Sequence, residues 1–465
     1  MLKVKRLPDG RLDKYKARLV AKGYKQVQGV DYDLLFAPVA KKTSFLYFLH
    51  FVATQDLECH ALDYNTAFLN GTLDEEVYIE QPDRFSDGSR KVLKLSKALY
   101  GLKQAPRQWY KALSQKMRKM GFTFCEVDAA VAKVVYKGHT CWVLFYVDDV
   151  LVAAHKLATV QGVKSLLLQL YEGTDKGEVS DFLGTAIHRD RTRRLIYVDQ
   201  SGYASRLVSD AGMAQAKPKR LPMQPNPHKT AEGKELSIED AKIYRHNVGE
   251  LMWLANMTRP DLAYSAGFLA RHLQVPTSAH KAHLHDALAY LSATKSYVLT
   301  LGCQTDDPLL GYTDSDWATE ADAQRKSVGG YIFQMNGSTI SWKSKRQPTV
   351  ARSSKEAEMI AAGEAVREAI WLTWLRYFVE GDSAKIAIYC DNRGALSEIH
   401  NPVLEDLRKH IDVALHHVRE RQDAGYVDFQ WVSGAENVAD AFTKALPRPA
   451  FEQHRDSMRL STPSQ

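Results

Sequence analysis

Residues 141–154, CWVLFYVDDVLVAA, constrain the fold of this chain more than any other stretch. Two apolar runs rich in β-forming residues, 142–146 and 150–154, flank Val147-Asp148-Asp149. This pattern predicts a β-hairpin with adjacent carboxylates at its bend. Carboxylates next to so much apolar surface are costly unless a cation or hydrogen bonds replace their lost hydration. The alternative is an ordinary polar turn with both aspartates in solvent.

A second acidic position strengthens the functional interpretation. The segment HALDYNTAFLNG places Asp63 at the end of a predicted strand and before a predicted turn. Phosphoryl transfer to a nucleotide uses two divalent ions about 4 Å apart, held by acidic side chains from different strands. Asp63 and Asp148 suit the bridging positions, with Asp149 adjacent. A helix N-cap role for Asp63 stays open, because sequence spacing does not show that these residues meet.

Composition narrows the class of protein without deciding it. A chain of 465 residues predicts two or three domains. Hydrophobic residues at 45% and charged residues at 25% indicate an ordinary globular protein. The 62 Lys and Arg residues exceed the 55 Asp and Glu residues, for a net charge of +7. This mild excess is compatible with nucleic acid but does not by itself indicate it.

Cysteines and hydropathy bear on the compartment. The five cysteines are scattered without a Cys-x-x-Cys pair, so no zinc site is expected. An odd, dispersed set suits a reducing compartment. The N-terminus has no apolar core of a signal peptide, and no run approaches the roughly 18 apolar residues that a membrane span needs. We therefore predict an intracellular protein that is neither secreted nor membrane-bound.

The last third of the chain carries a second pattern. LLGYTDSDWA predicts a strand, and GGYIFQMNGSTISWKS predicts two more joined by Asn336-Gly337, a strong hairpin signal. KEAEMIAAGEAVREAIWLTWLRYFV has helical apolar periodicity, and AKIAIYCDN is a buried-type strand. A helix to Arg421, the strand VDFQWV and a helix over ENVADAFTKAL follow. The predicted elements are therefore three strands followed by a helix, a strand, a helix, a strand and a helix. This is the element order of the RNase H fold.

Acidic residues of this region fall at strand ends and helix starts, where they can gather around two metal ions that activate water: Asp314, Glu358, Asp391 and Asp440. Each has an alternative. Asp314, like Asp316, suits a turn, Glu358 a solvated helix face, and Asp440 the N-terminal charge of a helix. Glu356 competes with Glu358, and since residues two apart on a helix point about 200° apart, only one can face the metals.

Several long motifs resemble the Pol polyprotein of Ty1/copia-type retrotransposons, and they stand in that family's order. They are YKARLVAKGYKQ, ALDYNTAFLNGTLDEEVYIEQP, KALYGLKQAPRQWY, YVDD, VGELMWLANMTRPDLAYS, GYTDSDWA, STISWKSKRQPTVARSSKEAE, YCDNRGAL, RKHIDVALHHVRE and NVADAFTK. The resemblance implies a right-hand polymerase of fingers, palm and thumb, a helical connection, and an RNase H-like domain, in the α+β and α/β classes.

The resemblance also implies domain boundaries. Residues 1–227 would be reverse transcriptase fingers and palm, truncated at the N-terminus, and 228–304 a thumb- or connection-like helical region. Residues 305–447 would be the RNase H-like domain, and 448–465 a C-terminal tail whose last residues, RLSTPSQ, we expect to be frayed.

The implied function is an RNA-directed DNA polymerase with ribonuclease H activity. Its substrates would be an RNA template, a DNA primer, the RNA–DNA hybrid and deoxynucleoside triphosphates. Each active site would use two Mg²⁺ or Mn²⁺ ions. The resemblance also implies capsid, protease and integrase segments upstream of this chain. It implies a location in cytoplasmic virus-like particles or in the nucleus. The implied catalytic and metal-binding residues are Asp63, Asp148, Asp149, Asp314, Glu358, Asp391 and Asp440.

Four further residues match the family's nucleotide-binding segments. Lys16 and Arg18 would hold the triphosphate by charge-assisted bonds, although a solvated basic strand explains Lys16 almost equally well. Gln104 falls in the nucleotide- and template-positioning segment. Tyr146 would lie under the primer terminus, with core packing as its alternative.

Two departures from the family pattern matter. Tyr64-Asn65 stands where the family usually has Val-Lys, and the loop WVSGAENVAD lacks the histidine that many RNases H carry before the last carboxylate. No histidine is therefore assigned a catalytic role.

Two other hypotheses for the function stay open: a decayed, non-catalytic nucleic-acid-binding remnant, and a host protein that uses only the nuclease.

Overall fold

The computed structural model describes residues 2–6, 12–82, 85–227, 233–317, 325–401 and 409–462. The chain divides into two compact units, one of Met1–Lys41 with Leu57–Val179 and one of Lys42–Asp56 with Ser180–Gln465. The boundaries predicted at residues 227, 304 and 447 stay a prediction. Within the described ranges, none of the helices is both long enough and apolar enough to span a membrane.

The strands are β1 (Leu2–Arg6), β2 (Leu12–Ala17), β3 (Glu58–Tyr64), β4 (Tyr78–Ile79), β5 (Leu93–Lys94), β6 (Thr123–Phe124), β7 (Val131–Tyr136), β8 (His139–Tyr146), β9 (Asp149–Ala154), β10 (Gly173–Glu178), β11 (Asp181–Phe182), β12 (Thr185–Asp190), β13 (Leu195–Asp199), β14 (Val298–Gly302), β15 (Leu310–Asp316), β16 (Val328–Met335), β17 (Ser338–Arg346), β18 (Ile386–Cys390), β19 (Val427–Trp431) and β20 (Leu460–Ser461).

The α-helices are α1 (Lys42–Thr54), α2 (Ala105–Lys119), α3 (Leu157–Leu170), α4 (Ser201–Asp210), α5 (Ile238–Met257), α6 (Ala263–Ala270), α7 (Ser278–Ala293), α8 (Ser354–Glu380), α9 (Arg393–His400), α10 (Lys409–Asp423) and α11 (Arg448–Ser457).

The first unit is organised around a six-stranded antiparallel sheet with the order β10-β3-β9-β8-β7-β6. The apolar runs 141–145 and 150–154 are buried in its central strands. Helix α3 packs on β3 and β9. The predicted hairpin is confirmed as β8 and β9, and because β9 lies between β8 and β3, the acidic turn and Asp63 share one end of the sheet.

The second unit contains two five-stranded sheets. The first has the antiparallel order β11-β12-β13-β14-β20, with α1 packed on β13 and β14. Helices α5, α6 and α7 contact one another and account for the helical middle region predicted from the sequence. Their core includes a buried ion pair, in which the Arg259 guanidinium lies 2.7 Å from the Asp261 carboxylate.

The other sheet of this unit has the order β17-β16-β15-β18-β19. Strands β15, β16 and β17 are antiparallel, whereas β18 and β19 run parallel to β15, which is the RNase H-like arrangement. The predicted β16–β17 hairpin is confirmed, with φ of 49° at Asn336 and 75° at Gly337. Helix α8 packs on β15 and β16; Ser353 caps its N-terminus and Gly381, with φ of 78°, ends it.

One expectation for the C-terminal region is wrong, and a second is wrong at two residues. ENVADAFTKAL does not form a regular α-helix; only Val438–Phe442 is helical, as a 3₁₀ turn, because the Asn437 side chain caps Ala439 at 3.2 Å and Thr443 closes the turn onto Asp440. The predicted tail contains α11 and β20. Of the residues expected to be frayed, Leu460 and Ser461 pair with β14. Residues 463–465 lie outside the described ranges.

Candidate active sites

The first cluster consists of Asp63, Asp148 and Asp149. Asp63 and Asp149 are cross-strand partners on β3 and β9. Asp148 lies in the two-residue turn between Tyr146 and Asp149, where Val147 has a φ of 60°. A β-branched residue rarely adopts this conformation, so neighbouring contacts must hold the turn.

Two hydrogen bonds to the turn backbone provide such contacts. The Trp109 indole Nε1 donates to the Val147 carbonyl oxygen at 2.7 Å, and the Tyr64 backbone nitrogen donates to the Asp148 carbonyl oxygen at 2.8 Å. The Tyr64 ring packs edge-on against Trp109 and Tyr171, with ring centroids 5.3 and 6.3 Å away. The residue that departs from the family pattern therefore lies in an aromatic core beside the carboxylate turn.

A lysine ammonium from β10 lies between two carboxylates of the first cluster. Lys176 Nζ is 3.2 Å from Asp63 Oδ2 and 3.0 Å from Asp149 Oδ1. Burial, together with the charges of Asp149 and Asp63, raises the pKa of Asp148. The carboxylates of Asp63 and Asp149, which converge on this ammonium, and the neighbouring Asp148 are hard oxygen donors, the ligand type that Mg²⁺ and Mn²⁺ prefer.

The residues predicted to bind nucleotide have different surroundings. Arg18 stacks over the Tyr100 ring at 4.8 Å, and its charge opposes the rise in the pKa of Asp148. Gln104 is fully buried; its Nε2 donates to the Asp31 carbonyl oxygen at 2.8 Å and its Oε1 accepts from Gln26 at 3.0 Å. Tyr146 is half-buried at the end of β8.

The role of each of these residues stays a prediction. With both ends of its amide engaged, Gln104 is placed to fix the loop near Asp31 rather than to reach a ligand in this conformation. The side chain of Lys16 lies outside the described part of the chain.

The second cluster consists of Asp314, Glu358, Asp391 and Asp440, from β15, α8, the end of β18 and the 3₁₀ turn Val438–Phe442. The structure brings together Asp314, Asp391 and Asp440, whose ligand oxygens lie within 4.8 Å of one another. The order of the sheet explains this, since β15 lies next to β18. Gly330 on β16 lets the 3₁₀ turn approach, because a Cβ at this position would lie 2.6 Å from Phe442 Cβ.

The second cluster is short of compensating charge. Burial, followed by the charges of Asp314 and Asp391, raises the pKa of Glu358 well above its ordinary value. Burial and the charge of Asp314 also raise the pKa of Asp391, and they raise the pKa of Asp440 to about 7. Among the described residues, Glu358 Oε2 is buried without a hydrogen-bond partner. These features fit a site that a divalent cation would complete.

The two candidate glutamates of α8 differ in their contacts. Glu356 Oε2 accepts from the Arg352 backbone nitrogen at 2.7 Å, and the Glu356 backbone nitrogen donates to Ser353 Oγ at 3.1 Å. Through this pair of hydrogen bonds, Glu356 caps the N-terminus of its own helix. The charges of Asp314 and Asp391 instead help to raise the pKa of Glu358, which supports its assignment to the second cluster.

Sequence reasoning missed three residues around the second cluster. Asn437 Nδ2 donates to the Thr313 carbonyl oxygen at 3.1 Å, and Thr443 Oγ1 donates to Asp314 Oδ2. Lys444 Nζ lies 2.9 Å from Asp440 Oδ1. Only the i,i+4 spacing of Asp440 and Lys444 was a sequence signal, and it required a helical turn at this position.

Comparisons with known proteins agree with this architecture. The model of the reverse transcriptase (RNA-dependent DNA polymerase) family matches residues 3–225. The chain is 38% identical over 461 residues to the retrovirus-related Pol polyprotein from transposon TNT 1-94 of Nicotiana tabacum, a match that covers 97% of this chain and 34% of that protein. It is 32% identical over 310 residues to the putative transposon Ty5-1 protein of Saccharomyces cerevisiae, covering 66% of this chain and 100% of that protein.

The chain therefore belongs to the copia-type retrotransposon Pol family, since it covers the full length of the yeast Ty5-1 protein at 32% identity, and its residues 3–225 match the reverse transcriptase family. It spans about a third of the length of the tobacco relative. Among solved structures, it is similar to a prototype foamy virus protease–reverse transcriptase, with 12% identity, coverage of 96% of this chain and 51% of that chain, and a TM-score of 0.24.

Proposed function

We propose that this chain is an RNA-directed DNA polymerase that also degrades the RNA strand of an RNA–DNA hybrid. The observation that carries the proposal is that carboxylates meet at two separate places, Asp63 with Asp149 and Asp314 with Asp391 and Asp440, and so offer the oxygen donors that divalent ions require. The first cluster would extend a DNA primer on RNA. The second would hydrolyse RNA in the product hybrid.

The first cluster would carry out primer extension. Asp63, Asp148 and Asp149 would hold two Mg²⁺ or Mn²⁺ ions, which supply activation of the primer 3′-hydroxyl and neutralisation of the leaving pyrophosphate. Cross-strand pairing fixes the separation of Asp63 and Asp149, and the indole of Trp109 holds the turn that presents Asp148. Arg18, whose positive charge acts on Asp148, would bind the triphosphate of an incoming nucleotide.

The second cluster suits hydrolysis. Asp314, Glu358, Asp391 and Asp440 would hold the ions that supply a water nucleophile. Burial of Asp314 and Glu358 excludes bulk water from one side of the cluster, which strengthens its attraction for cations. Thr443 and Asn437 orient the carboxylates by fixing the 3₁₀ turn to β15. An RNA strand would be distinguished from DNA by its 2′-hydroxyl groups.

The direct test uses the purified chain with Mg²⁺, the four deoxynucleoside triphosphates and an RNA template annealed to a DNA primer. Separate labels on primer and template let extension and RNA loss be scored in one reaction. We expect both activities, and both should stop when a chelator removes Mg²⁺. RNA loss without extension would favour a protein that uses only the nuclease. Hybrid binding with neither activity would favour a decayed remnant.

A further inference from the structure

Lys444 lies among the carboxylates of the second cluster. Its Nζ is 2.9 Å from Asp440 Oδ1 and 3.9 Å from Asp314 Oδ2. The lysine side chain is 39% exposed, whereas the carboxylates of Asp440 and Asp314 are 12% and 4% exposed. The ammonium therefore contacts two nearly buried carboxylates while it remains accessible to solvent, so it can leave them without unfolding the site.

The backbone around Lys444 fixes where its side chain starts. The Lys444 backbone nitrogen donates to the Asp440 carbonyl oxygen at 3.2 Å, and the neighbouring Thr443 hydroxyl donates to Asp314. At the other end of the turn, Asn437 donates to the carbonyl oxygen of Thr313. Lys444 is thus anchored beside the cluster, unlike a lysine on an unrestrained loop.

One ammonium does not balance the negative charge of the second cluster. Three carboxylates meet here, and in the nearby Glu358 the buried Oε2 has no hydrogen-bond partner among the described residues. Divalent ions would compete for the same oxygens of Asp440 and Asp314 that Lys444 contacts. Because divalent ions at these carboxylates would repel the ammonium and draw on the same oxygen lone pairs, loading of the site should weaken the contacts of Lys444.

We propose that Lys444 is a positioning residue that holds Asp440 and Asp314 together before divalent ions bind and is displaced from them by those ions. The proposal rests on the proposed function, in which the second cluster binds Mg²⁺ or Mn²⁺. It assigns this site a metal affinity that is set in part by competition from a lysine of the same chain.

The test measures Mg²⁺ binding by calorimetry and thermal unfolding of the full chain. All proteins carry Asp63→Asn, which weakens the first cluster so that binding at the second can be measured. Lys444→Met should bind Mg²⁺ about tenfold more tightly, the change expected when one competing ion pair with a nearly buried carboxylate is lost. In a chelator the same variant should unfold at a lower temperature than its parent, because the carboxylates then repel one another without compensation. Saturating Mg²⁺ should remove that difference.

Matched variants separate this effect from a general loss of charge. Lys281 pairs with Asp240 on the surface, at 2.8 Å, and Lys281→Met should leave Mg²⁺ affinity unchanged. Lys444→Arg keeps the charge and should stay near the parent, while Lys444→Gln repeats the test if the methionine variant does not fold. Equal or weaker Mg²⁺ binding by Lys444→Met and Lys444→Gln overturns the proposal. Absence of Mg²⁺ binding by the parent itself would instead refute the proposed function at this cluster, and the role of Lys444 with it.

Discussion

Acidification should destabilise the second unit through one buried histidine. His50 lies in α1, is 1% exposed, and places its Nε2 3.1 Å from Asn336 Oδ1 in the β16–β17 turn. Its Nδ1 has no hydrogen-bond partner within the described ranges. Burial lowers the pKa of His50 from 6.5 to about 4, and the hydrogen bond to Asn336 opposes the shift only in part. The folded protein therefore keeps this imidazole neutral.

The magnitude follows from proton linkage. In the unfolded chain His50 takes up a proton as the pH falls below about 6.5, whereas the folded chain takes it up only near pH 4. Stabilisation by the neutral folded form is thus complete above pH 6.5 and is lost as the pH falls. Across this window the free energy of unfolding should fall by about 3 kcal/mol on account of His50 alone.

Hydrogen exchange read by mass spectrometry is the appropriate assay, because a chain of two units need not unfold in one step. Peptides from α1 and from the β16–β17 hairpin would report the local free energy of opening from pH 7 to pH 4.5. His50→Gln removes the titrating group and should flatten this pH dependence. The control variant His246→Gln, at an exposed position near Glu250, should leave this pH dependence unchanged. If the parent and His50→Gln lose protection in parallel, the argument from a buried neutral histidine is wrong.

Four other predictions concern the clusters and the core. Asp148→Asn should abolish primer extension while RNA cleavage continues, measured on the doubly labelled hybrid; extension near the parent rate would contradict the assignment. Asp391→Asn should show the reverse pattern in the same assay, and undiminished RNA loss would contradict it. Trp109→Phe keeps the ring but removes the indole donor to the turn, so extension should fall about tenfold at unchanged RNA cleavage. Asp261→Asn should lower stability in thermal unfolding by about 3–5 kcal/mol, because it leaves the buried Arg259 guanidinium without its counter-charge; a change below 1 kcal/mol would refute this.

Features with a local cause could be predicted from the sequence. The β8–β9 hairpin follows from two apolar runs around a polar turn, and the β16–β17 hairpin follows from Asn336-Gly337, whose residues adopt positive φ readily. The sheet order around β15 follows from the order of strands and helices along the chain. The carboxylate positions were predictable for the same reason, since strand ends that neighbour one another bring their side chains to one edge.

Features with a distant cause could not be predicted. The amide of Gln104 is bonded to Gln26 and Asp31, more than 70 residues away, and nothing in its own segment indicates that it is buried. The segment ENVADAFTKAL has helical spacing, but the Asn437 side chain bonds to β15 and to Ala439 and ends regular helix before it can form. In both cases a polar side chain with a tertiary partner overrides the local pattern.

The presence of a lysine at each of the two clusters has an electrostatic cause. Strand pairing forces Asp63 beside Asp149, and the sheet order forces Asp314 beside Asp391 and Asp440; neither arrangement is stable electrostatically by itself. In each cluster a lysine ammonium lies within 3.2 Å of a carboxylate oxygen. Since Lys176 lies on β10 and Lys444 follows a 3₁₀ turn, no shared motif places them. What the two clusters share is an excess of negative charge, and this same excess is the physical reason to expect that divalent ions bind at both.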